Sequence, residues 1–452
     1  MGHVHGVTGA PRVLSAATSA GLSILFVAVY GATGWLTSLR NDVGTWSFAW
    51  ERNLPFVPWL IVPYMSLDLF FVAAPFLCAD RAELRALRLR LTAAILVAAA
   101  FFIVIPLQFA FPRPEPAGWT TPVFAALYTF DRPYNMFPSL HIGILMILAA
   151  TYERHTRGIV RLLTRGWFGL IGVSTVFTYQ HHVIDVAGGF VLALACHYLI
   201  PQFSMQQPAT ANPHIGVLYA GGAAVLAALG GWTYPWALPL LWPAVSMAIA
   251  AGAYFGLYSA IARKRDGRLP VAATVIMAPW LAGQQLSLMY YRAHAAPWNE
   301  VVPNVWMGRR LTEREAEIAA KLGVTAVLDL TGELAEATPF LKLAYLNLQV
   351  LDLTAPTRAQ LRAAADFIAA HRDRGIVYVH CKIGYSRSAA VVGSWLLDAG
   401  LADTAETAVA RMRAVRPSLV VRPEAWAALR DFSTNARLVN RTNASRLIEV
   451  RT

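Results

Sequence analysis

Charged residues are scarce in this chain of 452 residues. Asp, Glu, Lys and Arg make up 14% of the sequence, compared with about a quarter in ordinary globular domains. Hydrophobic residues reach 56%, and the shortage of charge is concentrated in residues 1–295. This distribution excludes a chain that is soluble throughout. It predicts a polytopic, all-α membrane domain over residues 1–295, a soluble domain over 296–435 and a polar tail over 436–452.

Cysteine is rarer still, with three residues in the whole chain, so a disulfide framework is not expected. Cys78 and Cys196 lie in apolar runs, where a thiol is typically an inert packing group. Only Cys381 stands in a polar setting that suggests chemistry. The spacing of Cys and His residues matches no metal-binding pattern, and we expect neither a metal nor a cofactor. No small-residue cleavage site follows Arg12, so we expect no cleavable leader.

Acidic residues are outnumbered, with 26 Asp and Glu against 38 Lys and Arg, which gives a net charge of +12. The basic residues fall in short connections between apolar runs, so a nucleic-acid partner is not favoured. Such a distribution is typical of the positive-inside rule. A spanning helix needs roughly 20 apolar residues. Nine segments are candidate spans: 14–38, 56–79, 91–111, 139–152, 167–180, 183–200, 214–232, 236–262 and 269–290.

The basic connections also predict sidedness. The connections 80–90, 153–166 and 263–268 each carry four Arg or Lys residues, and this bias places them and the N-terminus in the cytoplasm. Loops 112–138 and 178–183 then face outward, as does the soluble domain if the ninth segment spans the bilayer. An outward-facing thiolate would be exposed to oxidation, which favours the cytoplasmic alternative. We expect a multi-pass protein of a bacterial inner membrane, with its oligomeric state undetermined.

Two polar clusters interrupt the apolar pattern in the first 200 residues. The first combines "FPRPEP" (111–116) with "YNMFPSLHIG" (134–143), and the second is "STVFTYQHHVIDVAGG" (174–189). His141 and His181 each fall at the outer end of a predicted helix. Asp185 follows His181 by four residues, which places both on one helical face.

These residue types support phosphoryl transfer. A carboxylate that accepts from one imidazole nitrogen fixes the tautomer of that ring and leaves the other nitrogen free as a nucleophile. A second histidine can protonate a leaving oxygen, and Arg113 can neutralise phosphate charge. Ionisable side chains at a membrane interface are costly and therefore suggest function. The alternative is that interfacial histidines only close helix ends or contact lipid headgroups.

The clusters resemble motifs of the type-2 phosphatidic acid phosphatase (PAP2) superfamily, which reads K-x6-RP, PSGH and SR-x5-H-x3-D. The resemblance covers a core of about residues 55–200 and implies a helical bundle, with additional helices over 214–290. The spelling "FPSLH" is most similar to the inositol-phosphoceramide-synthase-like branch, which transfers a phospho-headgroup between lipids. The resemblance implies His181 as nucleophile, Asp185 as its partner and His141 as general acid.

The same resemblance implies phosphate binding by Arg113 and by Ser139, the serine of the second motif. The sequence departs from the motifs at two positions, since Pro106 stands in place of the first-motif Lys and Thr175 in place of the third-motif Arg. Arg132 is a candidate substitute for one of these cations. The departures leave activity at this first site open.

A second site is predicted from "VYVHCKIGYSRSAAVVGSWLL" (377–397). A β-branched run predicts a buried strand that ends at Cys381, and the residues after it predict a helix. Backbone N–H groups at a helix N-terminus can surround an anion and lower the pKa of a thiol. Gly384 permits a tight turn, and Arg387 can bind two oxygens of a phosphoryl group. Ser388 can donate to the cysteine when the cysteine becomes a leaving group.

This stretch matches the signature HC-x2-G-x2-R-[ST] of cysteine-dependent phosphatases, and residues 298–435 resemble the dual-specificity branch, which implies an α/β fold. The resemblance implies Cys381 as nucleophile, Arg387 as phosphate binder and His380 as a residue that tunes the thiolate. It also implies a general-acid Asp about 30 residues before the cysteine. Asp352 in "QVLDLTAP" fits that position, and we interpret the competing Asp329 as structural.

The substrate class is suggested by Lys382, which directly follows the nucleophile. Lipid-directed members of the family often have "HCKAG" at this position, and a lysine beside the cradle adds charge for a multiply anionic headgroup. The alternative is a solvated surface lysine. Attachment to a membrane domain favours lipids, because a catalytic domain near the bilayer meets headgroups at a high effective concentration.

Three hypotheses follow. The first is a bifunctional enzyme in which the membrane domain transfers or hydrolyses a phospho-headgroup of a phospholipid or sphingolipid and the C-terminal domain removes a phosphate. The second is a lipid phosphatase on a degenerate membrane anchor. The third is a membrane-tethered protein phosphatase. Inositol phosphate and glycerol phosphate headgroups fit the sequence equally well.

Overall fold

A computed structural model describes residues 12–202, 210–232, 238–258 and 260–434. The chain divides into two compact units, Met1–Ser204 and Met205–Thr452, and each is described by itself below. The expected polar tail over 436–452 lies outside the described residues. The expected division at residue 295 differs from this one, because the helices over 213–292 belong to the same unit as the α/β domain.

The first unit is helical. Its helices are α1 (Arg12–Ser38), α2 (Ile61–Leu77), α3 (Arg81–Val104), α4 (Thr120–Phe130), α5 (Leu140–His155), α6 (Gly158–Phe177) and α7 (Val183–Leu199). Asp80 begins α3 by accepting a hydrogen bond from the Glu83 backbone N–H at 2.7 Å, which satisfies a donor that the first turn leaves free. The core lies where α3 meets α5, with Ile95 and Leu148 fully buried.

The second unit begins with four helices: α8 (Pro213–Trp232), α9 (Leu241–Tyr254), α10 (Val271–Ile276) and α11 (Ala278–Arg292). Helices α8 and α9 form a hairpin, and a hydrogen bond from the Asn212 N–H to the Tyr254 carbonyl at 2.8 Å joins its two ends. The ninth predicted span is divided between α10 and α11. Pro279 explains the division, since proline favours the first turn of a new helix and cannot donate within the preceding one.

Five helices of the described residues are long and apolar enough to cross a membrane: Arg12–Ser38, Pro58–Leu77, Arg81–Val104, Gly158–Phe177 and Pro213–Trp232. The shorter apolar helices are Val183–Leu199 and Leu241–Tyr254. The nine spans predicted from apolar runs therefore exceed the helices that meet the length requirement. Buried core helices carry the same apolar composition as membrane spans, so composition alone does not separate them.

The rest of the second unit is an α/β domain with a five-stranded sheet. Its elements are β1 (Trp298–Val302), β2 (Val305–Arg309), α12 (Glu313–Lys321), β3 (Val324–Thr331), β4 (Ala344–Val350), α13 (Arg358–His371), β5 (Ile376–Cys381), α14 (Ser386–Asp398) and α15 (Ala405–Val415). The strand order is β1-β2-β5-β3-β4. Only β1 pairs antiparallel; the other pairs are parallel. This arrangement confirms the expected α/β domain after a helical region.

Strand β5 occupies the middle of the sheet, between β2 and β3. Val377 and Val379 are fully buried on it, in the core that also contains Trp395 of α14. A continuous apolar run is the expected sequence of a parallel strand covered on both faces. The carboxyl end of β5 is where the chain turns into α14, and this end positions Cys381.

The loop between α9 and α10 packs against the α/β domain. Lys264 in this loop is fully buried, and its ammonium group donates to Asp329 and, at 3.1 Å, to the Thr331 hydroxyl. Asn212, which precedes α8 and lies beside the end of α9, donates to the Leu353 carbonyl at 2.8 Å. The basic connection 263–268 and the α/β domain therefore pack against each other at the open end of the hairpin.

Candidate active sites

Cys381 lies at the base of an anion cradle, as the sequence predicts. Gly384 holds a positive φ of 77°, and a Cβ atom there would lie 2.4 Å from the Gly308 backbone, so only glycine fits. The Gly384 N–H points at the Cys381 Sγ at 3.3 Å. Helix α14 begins directly after this turn and adds the positive end of its dipole.

The cradle lowers the pKa of Cys381. Burial opposes ionisation of the thiol, but the Arg387 guanidinium and the backbone N–H groups of Ser388 and Tyr385 outweigh it and hold the pKa below its ordinary value. A thiolate is the nucleophilic form of cysteine. The site therefore holds a nucleophile that is ionised at lower pH than a free thiol.

Alkylation tests this directly. We expect the rate at which iodoacetamide modifies Cys381 to reach its plateau at a lower pH than that of a free thiol, which has a pKa of ~8.5. Mass spectrometry of the peptide that contains Cys381 separates this rate from Cys78 and Cys196, which are buried elsewhere. The Arg387→Met variant should shift the rise in rate to higher pH. A wild-type rate that climbs like that of a free thiol would contradict this account of the cradle.

Arg387 is oriented by partners from three other segments. Glu333, after β3, accepts from its Nη2 at 2.7 Å and from its Nη1 at 3.2 Å. The Val350 carbonyl accepts at 2.8 Å, and Asp352 accepts at 2.9 Å. Sequence reasoning missed Glu333. Its position directly after a buried strand, in "LTGE", is the signal that could have indicated it.

Asp352 lies beside the cradle and Asp329 does not. Asp352 contacts both Arg387 and Lys382. Burial favours the protonated form of this carboxyl, but the Arg387 and Lys382 charges dominate and hold its pKa below its ordinary value. Asp329 accepts from Lys264 and, at 2.6 Å, from the Tyr345 hydroxyl. These contacts agree with the interpretation of Asp329 as structural.

His380 is buried behind the cradle. Its Nε2 lies 2.6 Å from Glu336 and 3.8 Å from Asp329. Burial disfavours the charged imidazole, but the two carboxylates outweigh it and raise the pKa of His380. The ligand atoms of these three residues lie within 4.8 Å of one another. The Lys264 ammonium group contacts Asp329 and already supplies the positive charge that these carboxylates need. We therefore assign Asp329, Glu336 and His380 a structural role.

Lys382 is buried rather than solvated, so its interpretation as a surface lysine is wrong. Its ammonium group donates to Asp352 and to the Gln284 side-chain oxygen of α11, at 3.0 Å for the latter. The catalytic loop is thus connected to a helix that precedes the α/β domain.

A cavity of about 620 Å³ opens above the cradle. The α/β domain contributes Asp352, Cys381, Lys382 and Arg387, among others. The facing wall comes from the helices, and its residues are Tyr219, Pro243, Met247, Tyr254, Pro279, Trp280, Gly283, Gln284, Ser287 and Tyr291. The nucleophile, the candidate acid and the cations Lys382, Arg387 and Arg422 therefore share one chamber with α8, α9 and α11.

The first site, in the other unit, brings its two histidines together. His141 in α5 and His181 both line a cavity of about 140 Å³. The His141 ring stacks on Tyr64 with 4.2 Å between ring centroids. His181 lies in the turn between α6 and α7 rather than on a helical face shared with Asp185. The turn still places its Nδ1 3.6 Å from Asp185, which is longer than a hydrogen bond.

The predicted phosphate-binding groups of the first site have other contacts. Ser139 caps α5 by accepting from the Ile142 N–H at 3.3 Å. The Arg113 guanidinium lies over the Phe109 and Tyr128 rings, 5.5 and 5.2 Å from their centroids. Arg132 is exposed and donates to the Ser38 hydroxyl at 2.8 Å. Arg113 also interacts electrostatically with Asp131, which lines the same cavity as the two histidines.

Asp131 lies in the first cavity instead. Sequence reasoning missed this buried carboxylate, which accepts from the Tyr30 hydroxyl at 2.6 Å. The sequence feature that could have indicated Asp131 is its position as an isolated acid next to Arg132, in a loop with few acidic residues. Thr175, in place of the third-motif Arg, holds the turn before α7, because its carbonyl accepts the His181 N–H at 2.9 Å.

Two segments of the chain, one in each unit, match known protein families. Residues 305–435 match the family described as the dual-specificity phosphatase catalytic domain, and residues 57–199 match the PAP2 superfamily. Similar solved structures include PTPMT1 (22% identical, 32% of this chain and 99% of that chain, TM-score 0.29). Tk-PTP is 25% identical over 30% of this chain and 97% of that chain, with a TM-score of 0.29. Human DUSP28 is 26% identical over 31% and 96%, with a TM-score of 0.27. One chain therefore carries a segment that matches the PAP2 superfamily and a segment that matches the dual-specificity phosphatase catalytic domain, and together these matches indicate a phosphatase.

Proposed function

We propose that this protein is a bifunctional lipid enzyme of a bacterial inner membrane. Its dual-specificity phosphatase domain hydrolyses a phosphate monoester on the headgroup of a phospholipid or sphingolipid. Its PAP2-type domain transfers or hydrolyses the phospho-headgroup in a separate step. The observation that carries the proposal is the chamber above Cys381, because α8, which is long and apolar enough to cross a membrane, and the shorter apolar helix α9 form one wall of it together with α11.

The phosphatase step uses the cysteine as nucleophile. The Cys381 thiolate attacks phosphorus, the bond from phosphorus to the headgroup oxygen breaks, and Asp352 gives a proton to that oxygen. Water then attacks the cysteinyl-phosphate and gives its proton to Asp352, which releases inorganic phosphate and the thiolate. Arg387 binds two phosphoryl oxygens throughout. Ser388 donates to the sulfur as it leaves.

Asp352 must be protonated for the first step, and in the free enzyme it pairs with Arg387 and Lys382. A bound phosphoryl group pairs with Arg387 and Lys382 in place of Asp352. Loss of these pairs raises the pKa of a buried carboxyl. Substrate binding therefore prepares Asp352 as an acid, and the resting ion pairs keep Arg387 close to the position that phosphate occupies.

At the PAP2-type site, His181 is the proposed nucleophile and His141 the proposed acid. His181 attacks phosphorus, the bond from phosphorus to the leaving oxygen breaks, and His141 gives a proton to that oxygen. The phosphoryl group then passes from His181 to an acceptor hydroxyl or to water, which gives its proton to His141. Asp185 orients the imidazole after a small closing movement. The specific observation that favours a second candidate, a degenerate membrane anchor, is the buried Asp131 carboxylate in the cavity, where a phosphate site needs cations.

We also propose that the phosphatase domain faces the cytoplasm. It packs against the basic connection through Lys264, and the charge bias places that connection on the cytoplasmic side. This position keeps the Cys381 thiolate in a reducing compartment.

Lipid profiling by mass spectrometry tests the proposal. Cells that carry Cys381→Ser should accumulate a lipid with one phosphate more than its wild-type counterpart, because the second step is blocked. Cells that carry His181→Ala should lack both lipids. Cys196→Ala, a change in another buried cysteine, serves as the control and should leave the profile unchanged.

The outcomes separate the alternatives. If Cys381→Ser changes lipids and His181→Ala does not, the first site is an anchor. If neither variant changes the lipid profile, the lipid-enzyme proposal fails and a protein substrate becomes the better hypothesis.

A further inference from the structure

We infer that α8, α9 and α11 form a recognition subsite for an uncharged, hydroxyl-bearing headgroup, and that Gln284 is its specificity-determining residue. The inference rests on the proposed function of the Cys381 site and deepens it. It assigns substrate selection to helices outside the segment that matches the phosphatase family, residues 305–435.

The helical wall of the chamber is polar but uncharged. The side chains that α8, α9 and α11 contribute to the chamber include hydroxyl and amide groups, from Tyr219, Tyr254, Gln284, Ser287 and Tyr291, and none that is charged. Tyr219 and Tyr254 stack with 5.4 Å between ring centroids. Neutral donors and acceptors on an apolar wall suit the hydroxyl groups of a polyol.

The charges of the chamber exclude a cationic headgroup. Asp352 is the acid among the lining residues, and both Arg387 and Lys382 already pair with it. An ammonium headgroup would enter beside three cations, Lys382, Arg387 and Arg422, and would find no free carboxylate among the described lining residues. Like charges in a buried site are strongly unfavourable, so a neutral polyol fits the wall better.

Gln284 connects the subsite to the chemistry. Its side-chain oxygen accepts from Lys382, and Lys382 in turn contacts Asp352. The Gln284 amide nitrogen makes no hydrogen bond to the described part of the chain and is available to a substrate hydroxyl. The side chain itself is buried and lines the chamber, so its position is fixed before substrate binds.

The outer faces of the same helices suit a lipid substrate. Val217 and Leu218 of α8 are 62% and 60% exposed, and Leu286 and Met289 of α11 are 66% and 60% exposed. Large apolar side chains on such a surface indicate contact with hydrocarbon. A lipid can therefore keep its chains against these faces while its headgroup enters the chamber.

The test compares Gln284→Leu and Gln284→Glu with wild-type full-length protein in mixed micelles. Three probes are used: phosphatidylglycerol phosphate, which has a polyol, phosphatidic acid, which has none, and the soluble p-nitrophenyl phosphate. We expect wild type to prefer the polyol lipid to phosphatidic acid. Gln284→Leu should reduce this preference roughly tenfold, mainly through KM, since a hydrogen bond to the substrate is lost.

Gln284→Glu separates recognition from simple positioning of Lys382. It keeps an acceptor for Lys382 but loses the amide donor, so we expect the same loss of preference between the two lipids. Turnover of p-nitrophenyl phosphate by this variant measures the separate effect of the added negative charge, which acts on all three probes alike. Gln285→Leu, which changes an exposed neighbour, should retain the full preference. Turnover of p-nitrophenyl phosphate by each variant also reports that the site is folded.

Two results would overturn the inference. One is a Gln284→Glu enzyme with wild-type preference together with a Gln284→Leu enzyme that loses activity equally on all three probes. The other is a wild-type enzyme that treats phosphatidic acid and the polyol lipid alike. Faster turnover of a phosphotyrosine peptide than of either lipid would instead reject the proposed function itself.

Discussion

Replacing Lys264 with methionine is expected to destabilise the second unit by about 3–5 kcal/mol, the usual consequence of removing one partner of a buried ion pair. The Lys264 ammonium group contacts Asp329 and Thr331 and is fully buried. Without it, Asp329 loses its nearest cation and stays buried close to a second carboxylate, Glu336, so that His380 alone faces two negative charges. Urea unfolding of the purified protein in detergent, followed by pulse proteolysis of the α/β domain, measures the difference.

Two further variants make this expectation specific. Arg265→Met removes the neighbouring side chain, which is 56% exposed, and should change stability by less than about 0.5 kcal/mol. The double variant Lys264→Met/Asp329→Asn should recover part of the loss, because it removes the unpaired charge. A Lys264→Met protein as stable as Arg265→Met would show that the buried pair does not anchor the α9–α10 loop to the α/β domain.

Arg387→Lys is expected to lower kcat/KM of the phosphatase domain by a factor on the order of 10³. Lysine keeps the positive charge but cannot bind two phosphoryl oxygens at once, and loss of one electrostatic donor at a transition state typically reduces the rate by about 10²–10³-fold. Arg387 also pairs with Glu333 through both terminal nitrogens and with Asp352 through Nη2. A lysine cannot make all of these contacts, so Asp352 loses its orientation as well. Steady-state turnover of p-nitrophenyl phosphate provides the measurement.

Arg362→Lys is the matched control. Arg362 is about half exposed and pairs with Asp398 at 2.6 Å on the surface, so its replacement should leave turnover close to that of wild type. An Arg387→Lys enzyme that keeps more than a tenth of wild-type kcat/KM would contradict the proposed role of the bidentate guanidinium.

The cradle could be predicted from sequence because it is built from consecutive residues. Strand β5, the turn at Gly384 and the start of α14 follow one another along the chain, so spacing and local propensity are sufficient. The partners of the cradle could not be predicted in this way. Lys382 and Gln284 are 98 residues apart, Lys264 and Asp329 are 65 apart, and Arg387 and Glu333 are 54 apart. These contacts depend on how helices and sheet pack, which periodicity does not contain.

At the PAP2-type site the sequence predicted a correct proximity from an incorrect local structure. The four-residue spacing of His181 and Asp185 predicts a shared helical face, but α7 begins only at Val183. Backbone hydrogen bonds from Gln180 and His181 to the Thr175 carbonyl turn the chain before that point. The pair is close because of this turn. Helical spacing therefore indicated the right neighbours for the wrong reason, and it could not indicate Asp131, which comes from a separate loop.

The helical wall above Cys381 has a kinetic consequence. If substrate reaches the chamber from within the bilayer, the concentration that governs turnover is the number of substrate molecules per area of membrane. Adding inert lipid to vesicles at constant total substrate would then slow the enzyme, although nothing has changed in the aqueous phase. The rate becomes a readout of membrane composition, so the enzyme responds to the mole fraction of its own substrate among neighbouring lipids.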